Sequence, residues 1–241
     1  MTSGGSRLVV AMGGGGFQMP PDDGRLDAFL LSLARERSGR DRPRVAFIPT
    51  AAADDDWAVA RFYETYARTA EPSHLALFAR TVEDVDAYLL EQDLVFIAGG
   101  NTVNMLAIWR QHGVDRALLA ALDAGVVMSG MSAGGTCWFE GFTTDSFGPQ
   151  LRAVRDGLGA LEGSFVPHYH SEAQRQPLFH RLVADATLPA GYGVDDGVAL
   201  VFRGRELAEV VTTAPERGAW RVEAVGGEVV ERCLDARQLE A

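Results

Sequence analysis

Five short apolar runs punctuate the first 130 residues: LVVAM (8–12), RVAFIPT (44–50), HLALFA (74–79), LVFIAGG (94–100) and VVMSG (126–130). Each is too short for a buried helix, and all but HLALFA carry β-branched residues, so each predicts a strand covered on both faces. Between them, residues 25–37, 57–70, 103–112 and 114–124 place apolar side chains three and four positions apart, the spacing of helices with one buried face. Strands and helices in strict alternation predict an α/β fold, a mostly parallel central sheet with helices on both sides. In such sheets the ligand site lies beyond the carboxyl ends of the strands.

After about residue 190 the rhythm changes. VALVFRG, ELAEVVTT, AWRVEAVGG and EVVERCL follow one another with only turn residues between them. They predict a C-terminal antiparallel meander, extending the sheet or lying beside it. No repeat or linker divides the chain, so residues 1–241 are expected to form one domain.

Charge and cysteine content narrow the function without changing this picture. The 241-residue chain carries a net charge of −11 and has no Lys/Arg block, which removes the electrostatic footprint of a nucleic-acid or anionic-membrane binder. Its two cysteines, Cys137 and Cys233, rule out a disulfide framework or a Cys-rich zinc site. The N-terminal MTSGGSRLVVAMGGGG is too weakly apolar and too little charged for a signal peptide, and no run approaches the roughly 18 apolar residues of a membrane span. A cytoplasmic location is expected.

Three glycine-rich turns end strands on one side of the expected sheet. In Gly130-Met131-Ser132-Ala133-Gly134, a strand passes into a helix-compatible stretch through a turn that carries a serine. Such a turn lifts a hydroxyl out of the backbone, and free N–H groups at the helix start face whatever binds there. Ser132 is the candidate nucleophile; the alternative is a serine that only caps the helix. In Ala98-Gly99-Gly100-Asn101-Thr102, the N–H of Gly100 is expected to join that of Ala133 in an oxyanion site, or the glycines serve the turn alone. The third, Gly13 to Gly16, is followed by Pro20-Pro21 rather than directly by a helix. It reads as a turn that leaves space near the site in preference to a phosphate loop.

Of the five histidines, His74 at a strand start and His112 at a helix end beside Gly113 read as structural, and His180 as a surface or half-buried helix residue. His168 and His170, at the end of an apolar β-type run, share a strand face, and periodicity alone does not choose between them as general base. An HxH metal pair is the competing reading, but no third ligand stands at a specific spacing. No metal and no cofactor are expected.

Together GGNT (99–102), GMSAGG (130–135), TTD (143–145), PHY (167–169) and DDG (195–197) resemble the peptidase E family of serine peptidases, family S51, which includes aspartyl dipeptidases and the more distant cyanophycinases. The match runs in order from about residue 44 to residue 202. The resemblance implies a flavodoxin-like three-layer sandwich of the class I glutamine-amidotransferase type, with serine in place of that superfamily's cysteine nucleophile. It implies Ser132 as nucleophile and His168 as general base. For the acid it offers Asp145 and Asp196; Asp196 is preferred as the residue orienting the imidazole, with Asp195 behind it.

The resemblance further implies cationic or amide donors for a substrate with N-terminal aspartate. Arg175 is the expected clamp, Asn101 a second donor, and Glu172 the acceptor of a free α-amino group; an ion pair between Glu172 and a neighbouring arginine is the alternative. The aromatic stretches Cys137 to Phe142 and Asp145 to Gly148 depart from the family pattern. The expected activity is hydrolysis of short peptides by a monomer or homodimer. Runner-up readings are an amide or ester hydrolase of other specificity, including β-aspartyl polymers, and a non-catalytic small-molecule binder.

Overall fold

The computed structural model describes residues 7–20 and 23–240. Met1 to Ser6, Pro21, Asp22 and Ala241 lie outside the described residues, and with them the N-terminal leader reading and half of the Pro20-Pro21 break.

In chain order the elements are β1 (Leu8–Met12), α1 (Arg25–Ser38), β2 (Arg44–Ile48), α2 (Asp56–Tyr66), β3 (Glu71–His74), α3 (Val85–Leu90), β4 (Leu94–Ile97), α4 (Thr102–His112), α5 (Val114–Ala124), β5 (Val127–Met131), α6 (Ala133–Thr136), β6 (Phe139–Thr144), β7 (Arg152–Val154), β8 (Leu161–Val166), α7 (Arg175–Ala184), β9 (Gly191–Val194), β10 (Val198–Arg203), β11 (Glu206–Thr212), β12 (Ala219–Val225), β13 (Glu228–Cys233) and β14 (Arg237–Gln238). A 3-10 turn, Thr50–Ala52, follows β2.

The strands form two sheets. The larger has the order β14-β11-β10-β1-β5-β4-β2-β3 and the smaller β13-β12-β9-β8-β6-β7. In the larger, β1, β5, β4, β2 and β3 run parallel, as their apolar runs predict. Every residue of β1, β4 and the first four of β5 is buried, because helices cover the sheet on both faces. Phe17, Phe47, Phe62, Tyr66 and Phe96 form an aromatic cluster at ring spacings of 4.9–6.1 Å. Each such side chain contributes about 1.5–3 kcal/mol by leaving water.

The antiparallel ending divides between the sheets: β10 and β11 extend the larger one, and β12 and β13 close an edge of the smaller.

Two local expectations shift. The run HLALFA supplies only the end of its strand, since β3 is complete at His74. The Asp54 carboxylate takes the N–H groups of Leu77 and Phe78, at 2.5 and 2.8 Å, and draws the chain away from β2. Leu75 and Leu77 are buried as loop residues. The helix after Ser132 lasts four residues, because the chain leaves at once for β6 in the smaller sheet.

Candidate active site

Ser132 stands at the carboxyl end of β5 with φ 50° and ψ −110°, a conformation that non-glycine residues rarely adopt. Strain of this kind costs on the order of 1–3 kcal/mol and persists only where the surroundings impose it. Here they do. The Ser132 N–H donates to Met12 O on β1 at 3.0 Å, and its carbonyl accepts from Gly135 and Thr136 at 3.0 and 2.8 Å. A Cβ on Gly134 would lie 2.2 Å from Ile97 O, so the last glycine of the GMSAG turn lets the elbow press against β4.

His168 follows β8 in the smaller sheet and also has a positive φ, 52°. Its imidazole bridges two partners: Nε2 lies 2.9 Å from Ser132 Oγ and Nδ1 lies 2.5 Å from Asp196 Oδ1. An ionised carboxylate only accepts, so Nδ1 carries the proton and Nε2 presents its lone pair to the Ser132 hydroxyl.

Asp196 is 8% exposed. Burial pushes its pKa up, but hydrogen bonds from His168 and Ser171 and the charges of His168 and Arg217 outweigh it and hold the carboxyl below its ordinary value. Arg217 Nη1 also donates to the Asp196 backbone oxygen at 2.9 Å. The Gly13–Gly16 turn makes room for this acid: a Cβ on Gly14 would stand 2.1 Å from Asp196 Oδ1 and 3.1 Å from His168 Cε1.

The second glycine turn abuts the elbow through the parallel pairing of Ile97 with Gly130. Gly100, at φ 138°, lies so close to the 3-10 turn that a Cβ would meet Ala51 O at 2.1 Å. Its neighbours' N–H groups are occupied, Gly99 by Gln18 Oε1 and Asn101 by Ala51 O. Those of Gly100 and Ala133 have no acceptor among the described residues. The chain past β4 and the chain past β5 thus each carry an open backbone donor.

The other expected residues fall elsewhere. Asp145 is not the imidazole's partner: it is exposed beyond β6 and makes no hydrogen bond to His168, whose Nδ1 is already filled by Asp196. Asp195 is turned away from His168. Its Oδ1 accepts from His170 N and Nδ1 at 3.1 and 3.0 Å, and its Oδ2 from Gly218 N at 3.1 Å. The two imidazoles of the HxH pair are therefore committed to different carboxylates. Among the described residues no group of three or more His, Cys, Asp or Glu side chains is arranged to hold a metal ion.

Asn101 caps α4, with Oδ1 accepting from Asn104 N at 2.9 Å and Nδ2 donating to Ser146 O at 3.2 Å, so the protein itself engages both ends of its amide. Arg175 is 4% exposed. Its Nε and Nη2 donate to the two carboxylate oxygens of Glu172 at 2.9 and 3.1 Å. The Glu172 side chain remains 39% exposed, and the Glu172 N–H donates to His168 O at 3.0 Å.

The sequence profile of peptidase family S51 matches residues 9–210. The chain belongs to family S51. This S51 peptidase is 40% identical to the uncharacterized peptidase YgaJ of Bacillus subtilis, over 97% of the present chain and 99% of that one. It is 31% identical to a peptidase E of Streptomyces coelicolor, over 52% and 51% of the two chains. The crystal structure of a peptidase from an acI-B1 actinobacterium shares its fold at a TM-score of 0.69 and 17% identity, over 96% and 95% of the chains. That of a putative peptidase E protein from Listeria monocytogenes does so at 0.57 and 16%, over 95% and 100%.

Gly14 lies in the glycine turn expected to leave space near the site, but Ser171 and Arg217, which flank Asp196, carry no local sequence signal. Only the three-dimensional crossing of β1 past the 195–197 turn assigns them a place.

Proposed function

We propose that this S51 peptidase is a serine exopeptidase that hydrolyses short peptides through an acyl-enzyme on Ser132. The observation that carries the reading is the unbroken chain from Ser132 Oγ through the His168 imidazole to Asp196, at 2.9 and 2.5 Å. In the proposed reaction His168 Nε2 takes the Ser132 proton as Oγ attacks the scissile carbonyl. The N–H groups of Gly100 and Ala133 receive the oxyanion, and the same proton passes to the leaving amine. Water then repeats the sequence on the ester, with His168 again as base. Asp196 keeps the imidazole in the required tautomer and stabilises the imidazolium.

The preference for N-terminal aspartate belongs to the proposal. Two of the guanidinium nitrogens expected to clamp an acidic side chain are engaged by Glu172, leaving the buried Nη1 as the nitrogen without a partner among the described residues. The half-exposed Glu172 carboxylate takes, in this reading, the role of accepting the α-ammonium that an exopeptidase must recognise. No described helix is long and apolar enough to cross a membrane. The reading carries a cytoplasmic location with action as monomer or homodimer.

A panel of Asp-X, Glu-X, β-Asp-X and neutral X-X dipeptides, compared by kcat/KM with wild type and Ser132→Ala, tests it. Ser132→Ala is expected to fold and to lose turnover; retained hydrolysis in that variant overturns the mechanism. Failure of wild-type Ser132 to react with a serine-directed phosphonate favours a non-catalytic binder.

A further inference from the structure

The turn that carries His168 is also held from the side away from Ser132. Tyr169 follows the base directly, and its ring is fully buried. Ring atoms lie over Gly193 so closely that a Cβ there would stand 2.6 Å from three of them. The Tyr169 N–H donates to Val194 O at 3.2 Å, and its hydroxyl donates to Glu231 Oε2 at 2.5 Å.

Glu231 belongs to β13, the edge strand of the smaller sheet. It accepts two more hydrogen bonds from α7, from His180 Nε2 at 2.7 Å and from Gln176 Nε2 at 2.8 Å. Gln176 and His180 are four residues apart and share a helix face, so both meet one carboxylate. A single side chain on a sheet edge thus fastens the base-bearing turn and α7 together.

The donor and acceptor roles are stable. Burial raises the Glu231 pKa, but hydrogen bonds from Tyr169, His180 and Gln176 and the charge of His180 outweigh it and leave the carboxyl below its ordinary value. Burial, reinforced by the neighbouring Glu231, pushes the Tyr169 hydroxyl up. Across neutral pH the phenol stays a donor and the carboxylate an acceptor.

His168 needs such an anchor. Its positive φ is a strained conformation. Asp196 fixes the imidazole and the Glu172 N–H fixes the His168 carbonyl. Release of Tyr169 frees the next peptide to relax, and the imidazole would then move relative to Ser132 Oγ.

We propose that Glu231 is a positioning residue for the His168 imidazole, acting through the Tyr169 hydroxyl. The proposal rests on the reading of Ser132 and His168 as nucleophile and base. Displacement of a catalytic group by a fraction of an ångström costs about tenfold in turnover.

Tyr169→Phe, which removes one oxygen, and Glu231→Gln, which keeps the shape and removes the charge, are compared with wild type in the full chain. The measurements are kcat and KM on the best dipeptide of the panel, the rate of Ser132 phosphonylation, and the downfield proton resonance between His168 Nδ1 and Asp196 Oδ1. We expect kcat and the labelling rate to fall together by about tenfold in Tyr169→Phe and by less in Glu231→Gln, with KM within about twofold and the resonance shifted. Folded variants with wild-type kcat, labelling rate and resonance overturn the proposal. If Tyr169→Phe does not fold, Glu231→Gln decides on the same three readouts. If wild type neither turns over peptides nor reacts with the phosphonate, the peptidase reading fails, and the resonance alone still judges the positioning role.

Discussion

A methyl group at position 14 perturbs the candidate triad without substituting any of its members. Gly14 bridges to Asp196, and its carbonyl accepts from Gly197 N at 2.9 Å. Its φ is not positive, so alanine meets no backbone penalty and the cost is that of the methyl alone. The added Cβ would stand 2.1 Å from Asp196 Oδ1, where ordinary contact begins at 3.4 Å. The carboxylate oxygen must therefore retreat by about 1.3 Å, a move close packing does not absorb locally. Its bond to His168 Nδ1, now 2.5 Å, opens or bends out of line. A hydrogen bond to a charged group contributes about 1.5–3 kcal/mol. Misplacement by about 1 Å lowers turnover about 10²-fold, and full loss of the orienting acid about 10⁴-fold. We expect Gly14→Ala to lower kcat by a factor between these limits at nearly unchanged KM, and to cost about 1–3 kcal/mol of stability through overpacking. Dipeptide kinetics and urea denaturation measure both. A variant with kcat within threefold of wild type refutes the claim that the Asp196–His168 contact sets the rate.

Acidification tests the same carboxylate through stability. The folded Asp196 carboxyl sits below its ordinary value, so its stabilisation is complete above the ordinary carboxylate range near pH 4 and is lost as pH falls through the lowered value. The stability gap between wild type and Asp196→Asn should close as the pH falls below about 4; a gap that persists there contradicts the assignment. Arg175→Ala should cost about 1–3 kcal/mol, through a lost ion pair and lost packing, and should free Glu172. Thermal unfolding and the dipeptide panel read the two effects, and unchanged stability with unchanged specificity removes the pair from the site. Cys137 is fully buried, and burial pushes its thiol up, whereas Cys233 is exposed. An aromatic disulfide reagent should therefore titrate one thiol in the native protein and the second only in denaturant; two fast thiols would place Cys137 at the surface.

The parallel sheet was legible because buried strands and amphipathic helices write their period directly into residues 8–131. The serine elbow was legible for a related reason: the glycine at 134 is demanded by a 2.2 Å approach to Ile97 O, and a steric need of that sort leaves a fixed spacing. Where apolar residues are buried past the end of a strand, the pattern misleads. Leu75 and Leu77 look like strand residues and are loop residues, because Asp54 captures the backbone. The Arg175–Glu172 pair shows the same limit for charge. Its i, i+3 spacing is visible, but the nearly complete burial of the arginine depends on how α7 packs on β12 and β13, which no local pattern encodes.

The choice between Asp145 and Asp196 follows from topology rather than from either motif. Both acids stand just past a strand of the smaller sheet, in TTD after β6 and in DDG after β9. The difference lies in what comes next. After Asp145 the chain turns back into the same sheet as β7, so the carboxylate is left exposed at its rim. After Asp196 it crosses into the larger sheet as β10, antiparallel to β1, and the crossing brings residues 195–197 against the Gly13–Gly16 turn. Ser132 ends a strand of the larger sheet and His168 ends a strand of the smaller. An acid that contacts His168 while packed against the turn after β1 sits where the chain passes from one sheet to the other, and Asp196 occupies that crossing. The order Ser, His, Asp of the candidate triad thus follows from which strand changes sheets.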